Sequence, residues 1–267
     1  MFGSNKMTKV AIPERVYALC REVMARPMDD GTLKLRLEPK NLGGGTTNYG
    51  AVRTAAEELR LISTKENTIS LAVEKTVMKS PEDMRRYINM NLENLKESLF
   101  YKVTQSYLEL SAEVLKNTSV SKMSDTMGSN IGEKVTEDDM LAWRFWMPFL
   151  GFGYLHVSHA GAAGILLPNV AVFLKDILDS LNIKKQTTFE IDEFVSLISP
   201  YANVAIHNAV ENKRFNYAFS NALRMLNDLG YIKAEHRLDA KEIWALYPYE
   251  GHELGSTITH VTIGGSK

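Results

Sequence analysis

Between Pro13 and Met24 the apolar residues Val16, Leu19, Cys20 and Val23 recur at helical spacing, which predicts a helix burying one stripe. Leu33, Leu35 and Leu37 then alternate with Lys34 and Arg36, a period of two that predicts a half-buried strand. A Gly43-Gly44-Gly45-Thr46-Thr47 run leads into a second helix with Val52, Ala55, Ala56 and Leu59 on one face. Leu61-Ile62-Ser63-Thr64, a Lys65-Glu66-Asn67 turn and Thr68-Ile69-Ser70-Leu71-Ala72 predict a β-hairpin. Helix, short strand, helix and hairpin therefore fill residues 10–76.

A helical pattern restarts at Ser80, a natural cap, with Pro81 in the first turn and Glu82 and Asp83 placed to meet the helix dipole. Met84, Ile88, Leu92, Leu95, Leu99, Val103, Leu110 and Val114 sustain that pattern, predicting one long helix over residues 81–116. Residues 117–134 are rich in Ser, Thr and Gly and read as a loop. A shorter helix follows Thr136, with Met140, Trp143, Met147 and Leu150 on one side. Residues 145–174 contain no Asp, Glu, Lys or Arg. Pro148, Pro168, two histidines and four glycines interrupt that run, so it reads as a junction of helices and a hairpin rather than a membrane span.

The third stretch begins near Asn169, where Val170, Phe173, Leu174, Ile177, Leu178 and Leu181 form an amphipathic helix. A strand over residues 187–191 and a short helix over 194–199 come next. The clearest helix of the chain covers residues 216–229, with Phe219, Ala222, Leu223 and Leu226 inward and Gly230 as its stop. Residues 232–236 and 243–247 read as strands, and the clean alternation at 256–263 predicts an edge strand.

Leu59-Arg60-Leu61-Ile62 and Leu229-Gly230-Tyr231-Ile232 occupy the same place, at a helix end before a hairpin, and Leu150-Gly151-Phe152-Gly153-Tyr154-Leu155 is a looser third copy. On these residues, with Ala55-Ala56-Glu57-Glu58 and Ala222-Leu223-Arg224-Met225-Leu226-Asn227-Asp228 before them, the chain resembles tandem winged-helix proteins over roughly its first 75 and last 100 residues. The resemblance implies a mainly α fold with small β-hairpins, in which two winged-helix modules (1–79 and 169–267) flank a helical middle region (80–168) with an aromatic-rich junction. Winged helices bind DNA, and many instead dock proteins in larger assemblies.

Charge bears on that choice. Lys plus Arg number 31 and Asp plus Glu 32, too even for a uniformly basic nucleic-acid binder. The balance is uneven along the chain: residues 1–80 carry +4, 81–168 carry −3 and 169–267 carry −2. Any DNA contact is therefore local. In the first module the candidates are Thr46, Thr47, Asn48, Arg53 and Thr54 around the helix start, and Lys65 at the hairpin tip. Glu57 and Glu58 oppose deep insertion, which favours contact through the first turn and the wing. In the second module Lys213 and Arg214 precede the helix, and Tyr217, Ser220, Asn221 and Arg224 occupy the face opposite its apolar stripe. The ordinary alternative is a helix cap with a structural turn for the first set and a solvated helix face for the second.

Other chemistry is thinly represented. A single cysteine, Cys20, permits no disulfide within the chain and no cysteine zinc set, and it reads as a core residue in a reducing, cytoplasmic setting. The opening residues lack the apolar run of a signal peptide. The glycine run at 43–45 lacks the Gly-Lys-Ser/Thr of a phosphate loop. His156 and His159 diverge across an extended segment, with no carboxylate to complete a metal set. Trp143, Phe145, Trp146, Phe149, Phe152 and Tyr154 form either a stacking platform, a partner anchor or a core cluster. The expectation is a non-catalytic DNA-binding protein without cofactor or membrane association, positioning partners on DNA or regulating transcription. A bacterial DNA-modification or phage-defence system is one setting for it. The rival is a protein-docking adaptor, contacting protein partners or a second copy through its long middle helix or its aromatic cluster.

Overall fold

The computed structural model describes residues 1–3, 5–41, 47–116, 119–156 and 164–264. Helix α1 (Pro13–Ala25) buries Val16, Leu19, Cys20 and Val23 as their spacing requires. A two-residue strand, β1 (Met28–Asp29), leads directly into α2 (Asp30–Leu37), because the Asp29 carboxylate accepts the Thr32 N–H at 2.9 Å. The strand expected from Leu33, Leu35 and Leu37 is therefore a helix. Leu33 enters the core while Leu35 stands 49% exposed, the outcome of a turn of about 100° per residue rather than 180°. The Asp29 cap and the dipole-matched Asp30, Lys34 and Arg36 outweigh a period of two over only five residues.

Helix α3 (Tyr49–Glu58) precedes the hairpin of β2 (Ile62–Lys65) and β3 (Thr68–Leu71). Glu66 and Asn67 take φ of 47° and 66°, the left-handed pair that a two-residue hairpin turn needs. Strand β1 pairs antiparallel with β3, giving the order β1-β3-β2.

The single helix expected over residues 81–116 is broken. Helix α4 (Pro81–Met90) gives way to a 3-10 turn (Leu92–Leu95), then α5 (Leu99–Glu109), then a second 3-10 turn (Ser111–Lys116). Ser98 is extended and accepts the Tyr101 N–H, so α5 starts afresh. Ser111 takes a positive φ of 55° just after it. The expected loop at 117–134 holds α6 (Val120–Ile131), capped by Ser119 and stopped by Gly132, with Met123 and Met127 buried. Helix α7 (Glu137–Leu150) starts with a reciprocal Thr136–Asp139 capping box. Asp139 also accepts the Met7 N–H at 2.7 Å, and the Trp146 indole donates to the Ala11 carbonyl at 2.8 Å. Gly151, with φ of 82°, ends α7, and the hairpin β4 (Gly153–His156) and β5 (Ile165–Pro168) follows. A Cβ on Gly153 lies 2.3 Å from the Leu167 carbonyl oxygen, so only glycine lets these strands close.

The last third contains α8 (Ala171–Ser180), β6 (Thr188–Glu190), α9 (Ile191–Ile206), α10 (Ala209–Asn212), α11 (Tyr217–Asp228), β7 (Ile232–Glu235), β8 (Trp244–Ala245), β9 (Thr257–Ile258) and β10 (His260–Ile263). Helix α9 is a full 16 residues and runs through Pro200, longer than the short helix expected at 194–199. The expected edge strand at 256–263 is divided, and its greater part is central. Strand β9 pairs with β8, while β10 lies between β6 and β7 and pairs with both. Two alternating inward residues, Val261 and Ile263, are buried by this double pairing.

The chain is thus mainly helical with small antiparallel sheets. Its first part runs helix, strand, helix, helix, then two strands; its last part keeps that order with α10, β8 and β9 added, and in both the last strand pairs with the first. A buried carboxylate ties the middle to the last part, beside links such as the Val204 N–H donating to Glu93. Asp176 on α8 accepts from Arg85 Nε (2.8 Å) and Nη2 (3.1 Å) on α4, and from Asn89 Nδ2 (2.9 Å). The same Asn89 amide donates to the Leu150 carbonyl at the end of α7 (3.1 Å).

Removing one partner strands the other charge. Asp176→Ala is expected to cost about 3–5 kcal/mol in urea unfolding, because Arg85 is left without its carboxylate. An Arg85→Met/Asp176→Leu double variant removes both charges and is expected to recover part of that loss; a double variant less stable than Asp176→Ala contradicts this account.

Candidate docking and nucleic-acid surfaces

The outward face of α3 is a lattice of carboxylates and their donors. Arg53 Nη1 donates to Asp30 Oδ1 at 2.7 Å, and its Nε and Nη2 reach Glu57 Oε1 at 3.2 Å. Tyr49 adds its hydroxyl to Asp30 (2.7 Å), and Thr64 on β2 donates to Glu57 (2.7 Å). At the helix start the Thr47 hydroxyl and the Asn48 N–H both donate to Glu38, at 2.5 and 2.6 Å. The Thr47 hydroxyl, foremost, holds the Glu38 carboxyl below the usual range. Thr54 and Lys65 are exposed, and Lys65 makes no ion pair among the described residues. Thr46 and the glycines at 43–45 lie outside the described residues.

Helix α11 is covered more completely. Ser220 and Arg224, expected on a solvent face, are both buried. The Ser220 hydroxyl oxygen accepts the Tyr247 N–H at 2.8 Å. Arg224, 4% exposed, donates through Nη2 to the carbonyls of Tyr247 (2.9 Å) and Gly255 (3.4 Å), with its guanidinium 5.7 Å from the Tyr249 ring centroid. Its Nε and Nη1 are buried without a hydrogen-bond partner among the described residues, and burial holds its pKa below the ordinary arginine value. The cover is residues 247–255, part of the long excursion between β7 and β10. Tyr217 and Asn221 are half-buried. Lys213 is bound to Glu242 and lies 3.8 Å from Asp192, whereas Arg214 is exposed and makes no ion pair among the described residues.

Most of the aromatic cluster is core. Trp143, Trp146 and Phe152 are buried, with the Trp143 indole donating to Thr104 Oγ1 at 3.0 Å. Phe145 and Tyr154 remain exposed. Cys20 is buried, and burial pushes its thiol up to about 12, outside the range of a nucleophile. His156 is exposed and His159 lies outside the described residues. Among the described residues no group of three or more His, Cys, Asp or Glu is placed to hold a metal, and no helix is long and apolar enough to cross a membrane.

A site that sequence reading missed lies where α5 and α6 meet the last third. Two adjoining cavities of about 460 and 850 Å³ share Glu109 and Asn208 as walls. Gln105, Asn130 and His207 line the first, and Asn212, Arg214, Asn216 and Tyr247 the second. The side chains of Gln105, Glu109, His207, Asn208 and Arg214 make no hydrogen bond within the described chain. The cleft walls come from four separate stretches, 102–111, 130–131, 207–216 and 245–248, and of the five unbonded side chains only Arg214 had stood out as a candidate contact.

No family model, curated protein or solved structure matches this chain.

The Glu38 bonds define a pH test. A carboxyl held below its usual range keeps its acceptor bonds above that range and loses them as pH falls through the lowered value. The Asn48 amide resonance is expected to titrate with a midpoint below that of an unperturbed glutamate, and to stop titrating in Glu38→Gln. A midpoint at or above the unperturbed value contradicts the assignment.

Proposed function

We propose that this chain is a tandem winged-helix protein acting without catalysis as a docking adaptor, with the cleft between α5, α6 and α10 receiving a polar segment of a partner polypeptide. The shared element order and the first-strand-to-last-strand pairing in both outer parts support the winged-helix reading. One contrast carries the functional reading. The polar groups of α3 and α11 suited to a DNA groove are largely engaged by the chain itself, whereas Gln105, Glu109, His207, Asn208 and Arg214 in the cleft make no side-chain hydrogen bond among the described residues. Three carboxylates along α3 repel phosphate, and Arg53 between two of them carries little net charge to offer. Side-chain amides present a donor and an acceptor together, the complement of a peptide group, and the free Glu109 disfavours a polyanion there.

A second reading retains DNA. The +4 charge of residues 1–80 and the open Thr54 and Lys65 support contact through the first turn of α3 and the wing.

Two measurements separate them. With a labelled duplex of about 20 bp at roughly 50 mM salt, the adaptor reading expects no saturable anisotropy change below about 10 µM protein. A photo-crosslinking residue at Asn208 is expected to attach to polypeptide, and Arg214→Glu to reduce that product. Tight, salt-dependent duplex binding that weakens in Lys65→Ala overturns the adaptor reading in favour of the second.

A further inference from the structure

The cover on α11 follows a single line of the helix. Tyr217, Ser220, Arg224 and Asp228 are spaced three, four and four residues apart, so they share one stripe. Each meets residues 247–255. The Tyr217 ring stands edge-on to Tyr247, with centroids 5.3 Å apart. Ser220 and Arg224 take the backbone of Tyr247 and Gly255 as described, and Asp228 Oδ2 lies 3.1 Å from His252 Nε2.

This cover is built as a separable lobe. Its neck is closed by the Leu246 N–H, which donates to the Ser256 carbonyl at 2.8 Å, with the β8–β9 pairing just behind. Within the lobe only Leu254 is buried. Lifting it therefore uncovers little apolar surface and leaves β8 and β9 paired. Glu250 and Glu253 give the lobe acidic side chains on its exposed surface.

Arg224 is poorly served in the closed state. Among the described residues it has two carbonyl acceptors, no carboxylate, and two buried nitrogens without a hydrogen-bond partner. A guanidinium taken from water on those terms is destabilised. Phosphate oxygens supply the missing charge-assisted bonds.

We propose that residues 247–255 are a detachable cover, and that the backbone phosphates of duplex DNA displace it by engaging Arg224 on the stripe it conceals. The closed form is the docking protein described above. DNA affinity belongs to the open form; Tyr247 and Pro248 of the cover also wall the cleft, so lifting the cover opens that wall as well.

The test uses the full chain and the same duplex probe. Replacing residues 248–253 by Gly-Ser-Gly is expected to raise duplex affinity by about tenfold or more over wild type, since the closed population no longer competes. Arg224→Ala in that background is expected to return affinity to the wild-type level. Because shortening the loop risks misfolding, a Tyr249→Ser/His252→Ser variant keeps the backbone and removes two of the contacts; it is expected to shift affinity in the same direction by less. In wild type at high duplex concentration, hydrogen exchange at the Tyr247 amide is expected to accelerate. The proposal is overturned if folded cover variants bind duplex no better than wild type, or if Arg224→Ala leaves their affinity unchanged. Strong binding by wild type with the Tyr247 amide still protected overturns it as well as the adaptor reading.

Discussion

One buried carboxylate joins the middle of this molecule to its last third. Asp176 leaves water only because Arg85 supplies two parallel donors and Asn89 a third, so its charge is matched on the two sides from which α4 approaches. Asn89 extends the constraint to the end of α7 through the Leu150 carbonyl. Three helices from different parts of the chain are thus linked by three hydrogen bonds to Asp176 and a fourth from Asn89. Apolar packing supplies most of the stabilisation of such a core but is tolerant of small sliding motions; a bidentate pair is not. The cleft depends on this placement, because its walls come from both sides of the joint.

The two outer parts use one plan differently. In the first, the helix before the hairpin stays at the surface, and its polar residues are quenched by Asp30, Glu38 and Glu57. In the second, the corresponding helix is enclosed by the middle region and by the excursion between its last strands. The same topology therefore presents a self-neutralised face in one case and a concealed one in the other. Sequence similarity between Leu59-Arg60-Leu61-Ile62 and Leu229-Gly230-Tyr231-Ile232 reports the shared backbone plan and says nothing about what each helix faces.

What could be read in the sequence divides along physical lines. Helices with a wide apolar stripe, such as α1 and α8, were legible from burial alone, and in α7 and α11 a side-chain cap agrees with it. Helix α2 was not, since a capping aspartate overrode a five-residue alternation. Helix α6 carried a readable signal in Val120, Met123, Met127 and Ile131, spaced three, four and four, which its Ser, Thr and Gly content obscured. The breaks at Ser98 and Ser111 left no mark, because serine is common both in helices and at caps. Among the candidate contacts, Lys65 and Arg214 proved exposed as their charge suggests. Ser220 and Arg224 did not, for the groups that bury them lie more than 20 residues away along the chain.

The position of β10 has a consequence for how the molecule assembles. It is the middle strand of its sheet, yet it follows both its neighbours in the chain, and β6 precedes it by about 70 residues. Neither β6 nor β7 has a strand to pair with until β10 has been made. During synthesis α8, α9 and α11 can collapse on their apolar faces, but the sheet that orders them waits for the final turn of the ribosome on this segment. The last third of the chain therefore completes its fold in one late step, while the first part, whose sheet is finished by Leu71, is already closed.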